Sequence, residues 1–327
     1  MDEKLIKPMY LAPMEGLTGY VFRNTYERIY GKIEKYFTPF IVPVVKREFK
    51  DRELRDILPK NNENMNTVPQ ILTNKSEDFL RTVNNLKNYG YKEININMGC
   101  PSGTVVAKHK GAGFLEYPER IDQFLYEIFE KTDIKISVKT RIGMESEEEF
   151  YEILEVFNKY KLEELIVHPR LRIDYYKNNI HMNMFQYAYE NSKNLLCYNG
   201  DICTGEDYSN IVSKYSKINA VMIGRGLIAN PCLTEEIYSN YSNVADYCMQ
   251  KEKNKIKYER LFKFHNELLK GYGEEIKESN NILFKMKEMW FYFEKNFSDE
   301  KEIKKIKKAK NIEEYKISVE RLFEKYM

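Results

Sequence analysis

The chain has 327 residues, of which 43% are hydrophobic, and this composition predicts a folded protein with a substantial core rather than a disordered one. Its 52 basic and 50 acidic side chains nearly cancel, so the net charge of +2 does not by itself indicate a nucleic-acid ligand. Residues 251–327, however, carry 20 Lys and Arg against 15 Asp and Glu, whereas the first 250 carry 32 against 35. A basic carboxy-terminal part suggests an appended module for an anionic partner.

Short β-rich runs alternate with longer amphipathic stretches as far as about residue 235, which is the pattern of parallel βα units. Eight runs are predicted as strands: Met9–Ala12, Tyr36–Val42, Val68–Leu72, Glu93–Asn97, Ile136–Lys139, Leu165–His168, Leu195–Asn199 and Ala220–Ile223. Helical periodicity is clear at Ser76–Asn88, Pro118–Lys131 and Ser146–Lys159. Eight such units in about 240 residues predict an α/β fold, a TIM (β/α)8 barrel, which typically needs about 250 residues.

An open, doubly wound sheet is the alternative architecture, but the glycine-rich dinucleotide fingerprint expected after its first strand is absent. From about residue 245 the strand pattern stops, and four helices are predicted at Lys255–Leu269, Asn281–Phe297, Lys301–Ala309 and Glu313–Tyr326. The simplest division is a barrel over residues 1–240 followed by a small helical bundle over 245–327. The lysines of 301–310 suit a solvated face and a phosphate-binding patch equally well.

The five cysteines, at positions 100, 197, 203, 232 and 248, form no CxxC pair, and an odd number suits a reducing compartment. The amino terminus has no signal-peptide pattern, and no apolar run approaches the roughly 18 residues that span a membrane. We therefore expect a cytoplasmic protein that has no membrane partner and no metal centre.

In a TIM barrel the active site is built at the carboxyl ends of the strands, so the residues there are the candidates for chemistry. The last two strand ends carry Gly200, Gly224 and Gly226, which let backbone N–H groups approach an anion, and Arg225, which adds a charged donor. This pattern predicts a phosphorylated cofactor such as FMN, although the same glycines would also suit tight βα turns.

Three other strand ends carry reactive side chains. Lys139 could stabilise negative charge on a reduced flavin or simply extend into solvent. His168 is equally ambiguous, since a lone histidine is more often a hydrogen-bonded core or rim residue than a catalyst. Cys100 lies between a glycine and a proline on a strand-end loop, and that setting favours a functional thiol over a buried structural one.

Together these residues resemble the tRNA-dihydrouridine synthase family. The resemblance is carried by the segments 12–16 (APMEG), 97–102 (NMGCPS), 138–141 (VKTR), 198–202 (YNGDI) and 221–226 (VMIGRG), with Lys108 and the GAG sequence at 111–113. Each motif is weak alone, but the ordered set, each at its strand end, is specific and spans the whole barrel.

The resemblance implies an oxidoreductase that uses FMN and NADPH. NADPH would reduce FMN, a hydride would then pass to C6 of a uridine in the tRNA D-loop, and Cys100 would protonate C5 as the general acid. The uridine would be flipped out of its stack, and the helical domain would contribute to binding tRNA. We expect the enzyme to act as a monomer.

The implied binding residues fall into three groups. The uridine would be positioned by Asn97 and Arg141. The flavin ring would be contacted by the backbone of Pro13, Met14 and Glu15, by the side chains of Gln70 and Lys139, and by His168 beside it. The ribityl phosphate would be held by Asn199, Gly200, Asp201, Gly224 and Arg225.

The chain departs from the family pattern where Pro169 follows His168, where Asn95 replaces a common aspartate, and in the loop Leu171–Asn183. Two other functions stay open. A small-molecule FMN oxidoreductase resembling dihydroorotate dehydrogenase would explain Lys139 and the phosphate site but not a basic helical bundle. A catalytically silent RNA-binding relative is disfavoured by the joint presence of Cys100, Lys139 and His168.

Overall fold

Nine parallel strands form one sheet that curls into a nearly closed barrel in the computed structural model, which describes residues 6–177, 180–241, 250–276 and 278–327. The strands are β1 (Met9–Leu11), β2 (Lys35–Phe37), β3 (Thr67–Val68), β4 (Gln70–Ile71), β5 (Glu93–Met98), β6 (Lys135–Gly143), β7 (Glu164–Leu171), β8 (Leu196–Asn199) and β9 (Ala220–Ile223). Their order is β3-β2-β1-β9-β8-β7-β6-β5-β4. Because only Pro69 separates β3 from β4, one segment joins both ends of the sheet. The predicted TIM barrel is thereby confirmed.

Prolines explain the two strands that differ most from prediction. The second strand ends at Phe37 rather than at Val42, because Pro39 has no N–H to donate, and only Ile41 rejoins the sheet as an isolated bridge. The third, predicted as one strand over Val68–Leu72, is split into two for the same reason at Pro69. By contrast, β6 and β7 run beyond their predicted ends because they continue to pair with each other.

Within the described residues, ten α-helices surround the barrel: α1 (Tyr20–Ile29), α2 (Asp51–Ile57), α3 (Ser76–Asn88), α4 (Gly103–Val106), α5 (Pro118–Lys131), α6 (Glu149–Phe157), α7 (Met182–Asn191), α8 (Gly205–Lys214), α9 (Arg225–Ala229) and α10 (Leu233–Tyr241). The predicted bounds of α3 and α5 are confirmed. Helix α6 begins at Glu149 rather than at Ser146, because the Glu149 carboxylate accepts backbone N–H bonds from Met144, Glu145 and Ser146 in the preceding turn.

The barrel has two apolar layers and a polar interior seam. The larger core lies between strands and helices, and a smaller cluster inside the barrel comprises Tyr10, Ala12, Phe37, Val68, Ile166, Cys197, Ala220 and Met222. Near the amino ends of the strands, Glu164 accepts hydrogen bonds from Tyr10 (3.3 Å) and Asn219 (2.6 Å). Burial raises the pKa of Glu164 to about 7.

Four further helices follow, as predicted, although their ends differ: α11 (Gln250–Glu275), α12 (Ser279–Phe293), α13 (Glu300–Lys308) and α14 (Ile312–Glu324). They pack onto the barrel through Phe264, whose ring meets Phe22 of α1 and Tyr30, the residue after α1, edge-on at 5.6 and 5.4 Å. In α13, Ile303 and Ile306 are buried beneath exposed lysines, which fits the expected amphipathic pattern. No helix within the described ranges is long and apolar enough to cross a membrane.

Candidate active site

A cavity of about 460 Å³ opens at the carboxyl ends of the barrel strands. Seven of the residues predicted to form a site line it: Pro13, Met14, Glu15, Asn97, Cys100, Lys139 and Arg225. They come from four different strand ends, those of β1, β5, β6 and β9, so the fold alone brings together residues that are far apart in the chain. This is the position at which TIM barrels carry their active sites.

Cys100 is held in this cavity by its own loop. The side-chain oxygen of Asn97 accepts the backbone N–H groups of Gly99 (3.1 Å) and Cys100 (2.9 Å). Gly111 has a φ of 57° and approaches so closely that a Cβ there would lie 2.8 Å from the Cys100 carbonyl oxygen. Burial raises the pKa of the Cys100 thiol above its usual value. The thiol therefore keeps its proton near neutral pH and is suited to donating it.

Lys139 points its side-chain amine into the cavity. Its side chain has no hydrogen-bond or ion-pair partner among the residues that the structure describes. Burial lowers its pKa to about 7, and the charge of Arg141 acts in the same direction. An anionic group in the cavity would favour the protonated form, so Lys139 is available to a bound ligand.

His168 lies just behind the cavity wall and is buried. Its Nε2 is 3.2 Å from a guanidinium nitrogen of Arg170, and its ring stacks on Tyr176 at 6.2 Å. Burial, reinforced by the charge of Arg141, holds the pKa of His168 well below its usual value. The imidazole is therefore neutral, and because Arg170 donates to Nε2, Nδ1 carries the hydrogen.

Two of the predicted residues lie beneath the cavity floor rather than at its surface. Gln70 is buried and bonds Asn95 and Asn97 through its amide. Arg141 is also buried, and its guanidinium donates to the carbonyl oxygens of Gly99 (3.0 Å), Leu171 (2.7 Å) and Tyr175 (2.6 Å). Arg141 thus ties together the loops after β5 and β7, and its contact with a uridine stays a prediction.

The predicted phosphate-binding residues gather where the loops after β8 and β9 meet. A Cβ at Gly226 would overlap the backbone oxygen of Ile202, and one at Gly224 would lie 3.2 Å from the sulfur of Met14. Asn199 donates to the carbonyl oxygen of Met222 (2.8 Å). These close approaches bring backbone from the two turns to one place, as a bound anion would require.

Asp201 organises the arginines around these turns. Its carboxylate accepts two bonds from Arg170 (2.9 and 2.6 Å) and another from Arg225. Although burial opposes the change, the hydrogen bonds from Arg170 and the charge of Arg225 lower the pKa of Asp201. Since a carboxylate repels phosphate, Asp201 can serve an anion site only by orienting these guanidinium groups.

The cavity also contains residues that the sequence did not indicate. Tyr176 places its ring 5.2 Å from the guanidinium of Arg141 and 5.1 Å from that of Arg225. Glu288 and Tyr292, one turn apart on α12, bring the helical region to the cavity wall. The i, i+4 spacing is visible in the sequence, but only the docking of α12 on the barrel reveals which face meets the site.

A family model described as dihydrouridine synthase matches the chain over residues 10–325. The chain belongs to the dihydrouridine synthase family. The family predicted from the strand-end motifs, and the enzyme class with it, are thereby confirmed.

Similar proteins support the assignment of this chain to the dihydrouridine synthase family. A probable tRNA-dihydrouridine synthase of Staphylococcus aureus (strain COL) is 30% identical over 244 residues, covering 71% of this chain and 72% of that protein. The probable tRNA-dihydrouridine synthase 2 of Bacillus subtilis (strain 168) is 28% identical over 248 residues, covering 73% and 75%. A solved structure titled as a variant of NCR from Zymomonas mobilis aligns with a TM-score of 0.51 at 10% identity, over 71% of this chain and 86% of that one. That likeness supports the barrel fold alone.

Proposed function

We propose that this synthase reduces a uridine of tRNA to 5,6-dihydrouridine with FMN, and that Cys100 donates the proton to C5. The observation that carries the proposal is the cavity itself, in which a protonated thiol and the amine of Lys139, which has no partner among the described residues, face the same space. The choice of tRNA is supported by the names of the Staphylococcus and Bacillus relatives.

The residues around the cavity fit FMN. The turns at Gly200, Gly224 and Gly226, together with Arg225, would hold the phosphate, and Asn199 and Asp201 would keep these groups in place. The flavin ring would meet the backbone of residues 13–15, and Lys139 would face its negative charge. Gln70 and His168 would support the ring from the buried side. When bound and reduced by NADPH, FMN supplies the hydride that C6 of the uracil accepts.

Cys100 completes the reaction. Hydride addition at C6 leaves enolate-like charge spread over C5 and the neighbouring carbonyl, and a C–H bond at C5 forms as the S–H bond of Cys100 breaks. The raised pKa keeps the proton on sulfur until that charge develops. The thiolate that remains then takes a proton from water, which restores the enzyme.

The helical region is proposed to help bind tRNA, with the modified uridine in the D-loop. Glu288 and Tyr292 of α12 reach the cavity, so this region lies where a flipped nucleotide and its neighbours would pass. Asn97 and Arg141 would position the base. The exposed lysines at 304 and 308 could meet backbone phosphates farther away.

The test is an assay of the purified chain with FMN, NADPH and an unmodified tRNA transcript, after which the nucleosides are separated and identified by mass spectrometry. We expect dihydrouridine at a D-loop position. A yellow protein that oxidises NADPH but leaves every transcript unchanged would favour a small-molecule oxidoreductase instead. A chain that cannot be reconstituted with FMN would contradict the proposal at its base.

A further inference from the structure

A chain of hydrogen bonds runs through the barrel interior and begins far from the cavity. Glu93, the first residue of β5, accepts a bond from Lys35 on one carboxylate oxygen (2.8 Å). Its other oxygen accepts a hydrogen bond from the hydroxyl of Ser137 (2.9 Å). The oxygen of that hydroxyl in turn accepts a hydrogen bond from the side-chain NH2 group of Asn95 (3.0 Å). Ser137 and Asn95 are both fully buried.

The same chain continues without a break to Cys100. The side-chain oxygen of Asn95 accepts from the amide of Gln70 (2.7 Å), and the oxygen of Gln70 accepts from Asn97 (2.7 Å). The side-chain oxygen of Asn97 accepts hydrogen bonds from the backbone N–H groups of Gly99 and Cys100. Each side chain between Glu93 and the Cys100 loop is therefore both donor and acceptor, and each donates toward Glu93.

The direction of this chain is fixed independently at its two ends. At the upper end two backbone N–H groups can only donate, so the atom of Asn97 that faces them must be its oxygen. At the lower end a carboxylate already paired with Lys35 accepts, so the hydroxyl of Ser137 must donate to it. The three amides between these ends have a single arrangement that satisfies every bond.

We propose that Glu93, Ser137 and Asn95 are positioning residues for the proton donor: by orienting Gln70 and Asn97 they hold the loop of Cys100. A buried amide that loses its partner must turn or find another, since an unsatisfied buried polar group is costly. Turning Asn97 would place its NH2 group against two N–H donors and release the loop. This inference rests on the proposed role of Cys100 as the acid.

A role in packing alone can be distinguished from the proposed positioning role, because the shape of a side chain and its hydrogen bonding can be changed separately. Thr and Val have nearly the same shape, but only Thr retains the hydroxyl. Ser137→Thr and Ser137→Val therefore form a matched pair at one buried position, and Ser137→Ala replaces the second should the valine variant not fold. Ile166→Val, a loss of one methyl group elsewhere in the barrel interior, is the control for altered packing.

The experiment measures how fast iodoacetamide alkylates Cys100 relative to the exposed Cys203 of the same chain, by peptide mass spectrometry. We expect the Cys100 to Cys203 ratio to rise several-fold in Ser137→Val, to stay near wild type in Ser137→Thr, and to be unchanged in Ile166→Val. The kcat for tRNA should fall about tenfold or more in Ser137→Val, with a smaller change in KM.

Equal ratios in the wild type and in the valine and alanine variants would overturn the positioning role, even if those variants were less stable. A wild-type chain that made no dihydrouridine would instead contradict the proposed function. The alkylation ratios would still decide whether the hydrogen-bond chain holds Cys100, because they require neither cofactor nor tRNA.

Discussion

Burial sets the protonation of the side chains that face the cavity. It raises the pKa of the Cys100 thiol and lowers that of the Lys139 ammonium. Both shifts favour the neutral form of the group, because burial disfavours the charged form. The thiol is thereby a proton donor rather than a thiolate. The lysine is a cation only as far as an anionic ligand, or a lower pH, favours the charge.

Replacing Lys139 with Met should stabilise the folded chain while reducing its activity. Between pH 7 and 10.5 the unfolded chain binds a proton that folded Lys139 releases, so wild-type stability rises with pH across this window. Below pH 7 Lys139 is protonated in the folded chain as well, and burying its charge then lowers the free energy of unfolding by the full amount that the pKa difference implies. We expect Lys139→Met to be more stable by about 1–3 kcal/mol near pH 6, after allowance for solvent screening.

Urea unfolding of both proteins from pH 6 to 10 measures this difference, and it should shrink as the pH rises. Lys308→Met, at an exposed position of α13, is the control and should show little change at any pH. A constant difference between Lys139→Met and wild type would contradict the lowered pKa.

Strand-end position made half of the residues that line the cavity predictable from the sequence. Pro13, Asn97 and Lys139 could be identified because a TIM barrel sends the carboxyl ends of its strands to one face. The burial of a side chain could not be predicted from strand-end position. The guanidinium of Arg141 donates to three carbonyl oxygens, and nothing in the sequence distinguishes it from an arginine that faces a ligand. Tyr176 was missed because it lies in a loop whose path depends on tertiary contacts.

At the scale of elements, the two turns after β8 and β9 depend on the absence of side chains. Gly226, in α9, leaves room for the backbone of Ile202 in the neighbouring loop. The alternation of strands and helices was predictable from period alone, including the bounds of α3 and α5. Pro69, which breaks the third strand, is visible in the sequence. The pairing of the two halves of that strand with different neighbours is not.

Gly226→Ala should separate these two turns. The added methyl group would overlap the backbone oxygen of Ile202, which cannot move aside as a flexible side chain could. We expect a loss of about 1–3 kcal/mol in the free energy of unfolding, together with weaker FMN binding. Urea unfolding and flavin fluorescence titration measure the two effects.

Gly273→Ala is the matched control for this substitution. Gly273 lies in α11, and a Cβ there would meet no atom within 4 Å. That change should leave FMN binding unaltered and raise stability by up to about 1 kcal/mol, since Ala is the better helix former. FMN affinity equal to wild type in Gly226→Ala would count against a phosphate site at these turns.

At the scale of the whole molecule, the barrel and the carboxy-terminal helices share one core. Phe264 of α11 meets Phe22, Tyr26 and Tyr30 on one side and Phe293 of α12 on the other. The composition of residues 245–327 predicted a helical bundle, but no pattern in the sequence indicated that α12 would complete the cavity. That arrangement depends on aromatic contacts between residues about 240 positions apart.

Phe264→Ala should therefore destabilise barrel and helices together. Removing a buried aromatic ring from the shared core is expected to cost about 3–5 kcal/mol, whereas Phe284→Ala, on the exposed face of α12, should cost almost nothing. Urea unfolding followed by circular dichroism and by the fluorescence of Trp290 gives two probes of the transition. Two separate transitions in the wild type would show that the parts unfold independently.

In the proposed reaction, Cys100 supplies the proton that completes the reduction of uridine. Stopped-flow measurement of the two half-reactions of Cys100→Ala, with Cys203→Ala as the control, shows whether it does. We predict that NADPH reduces the flavin of Cys100→Ala at the wild-type rate. Its reoxidation by tRNA should be slower by about 100- to 10,000-fold, as expected for the loss of a general acid. Reoxidation of Cys100→Ala by tRNA at the wild-type rate would contradict the account.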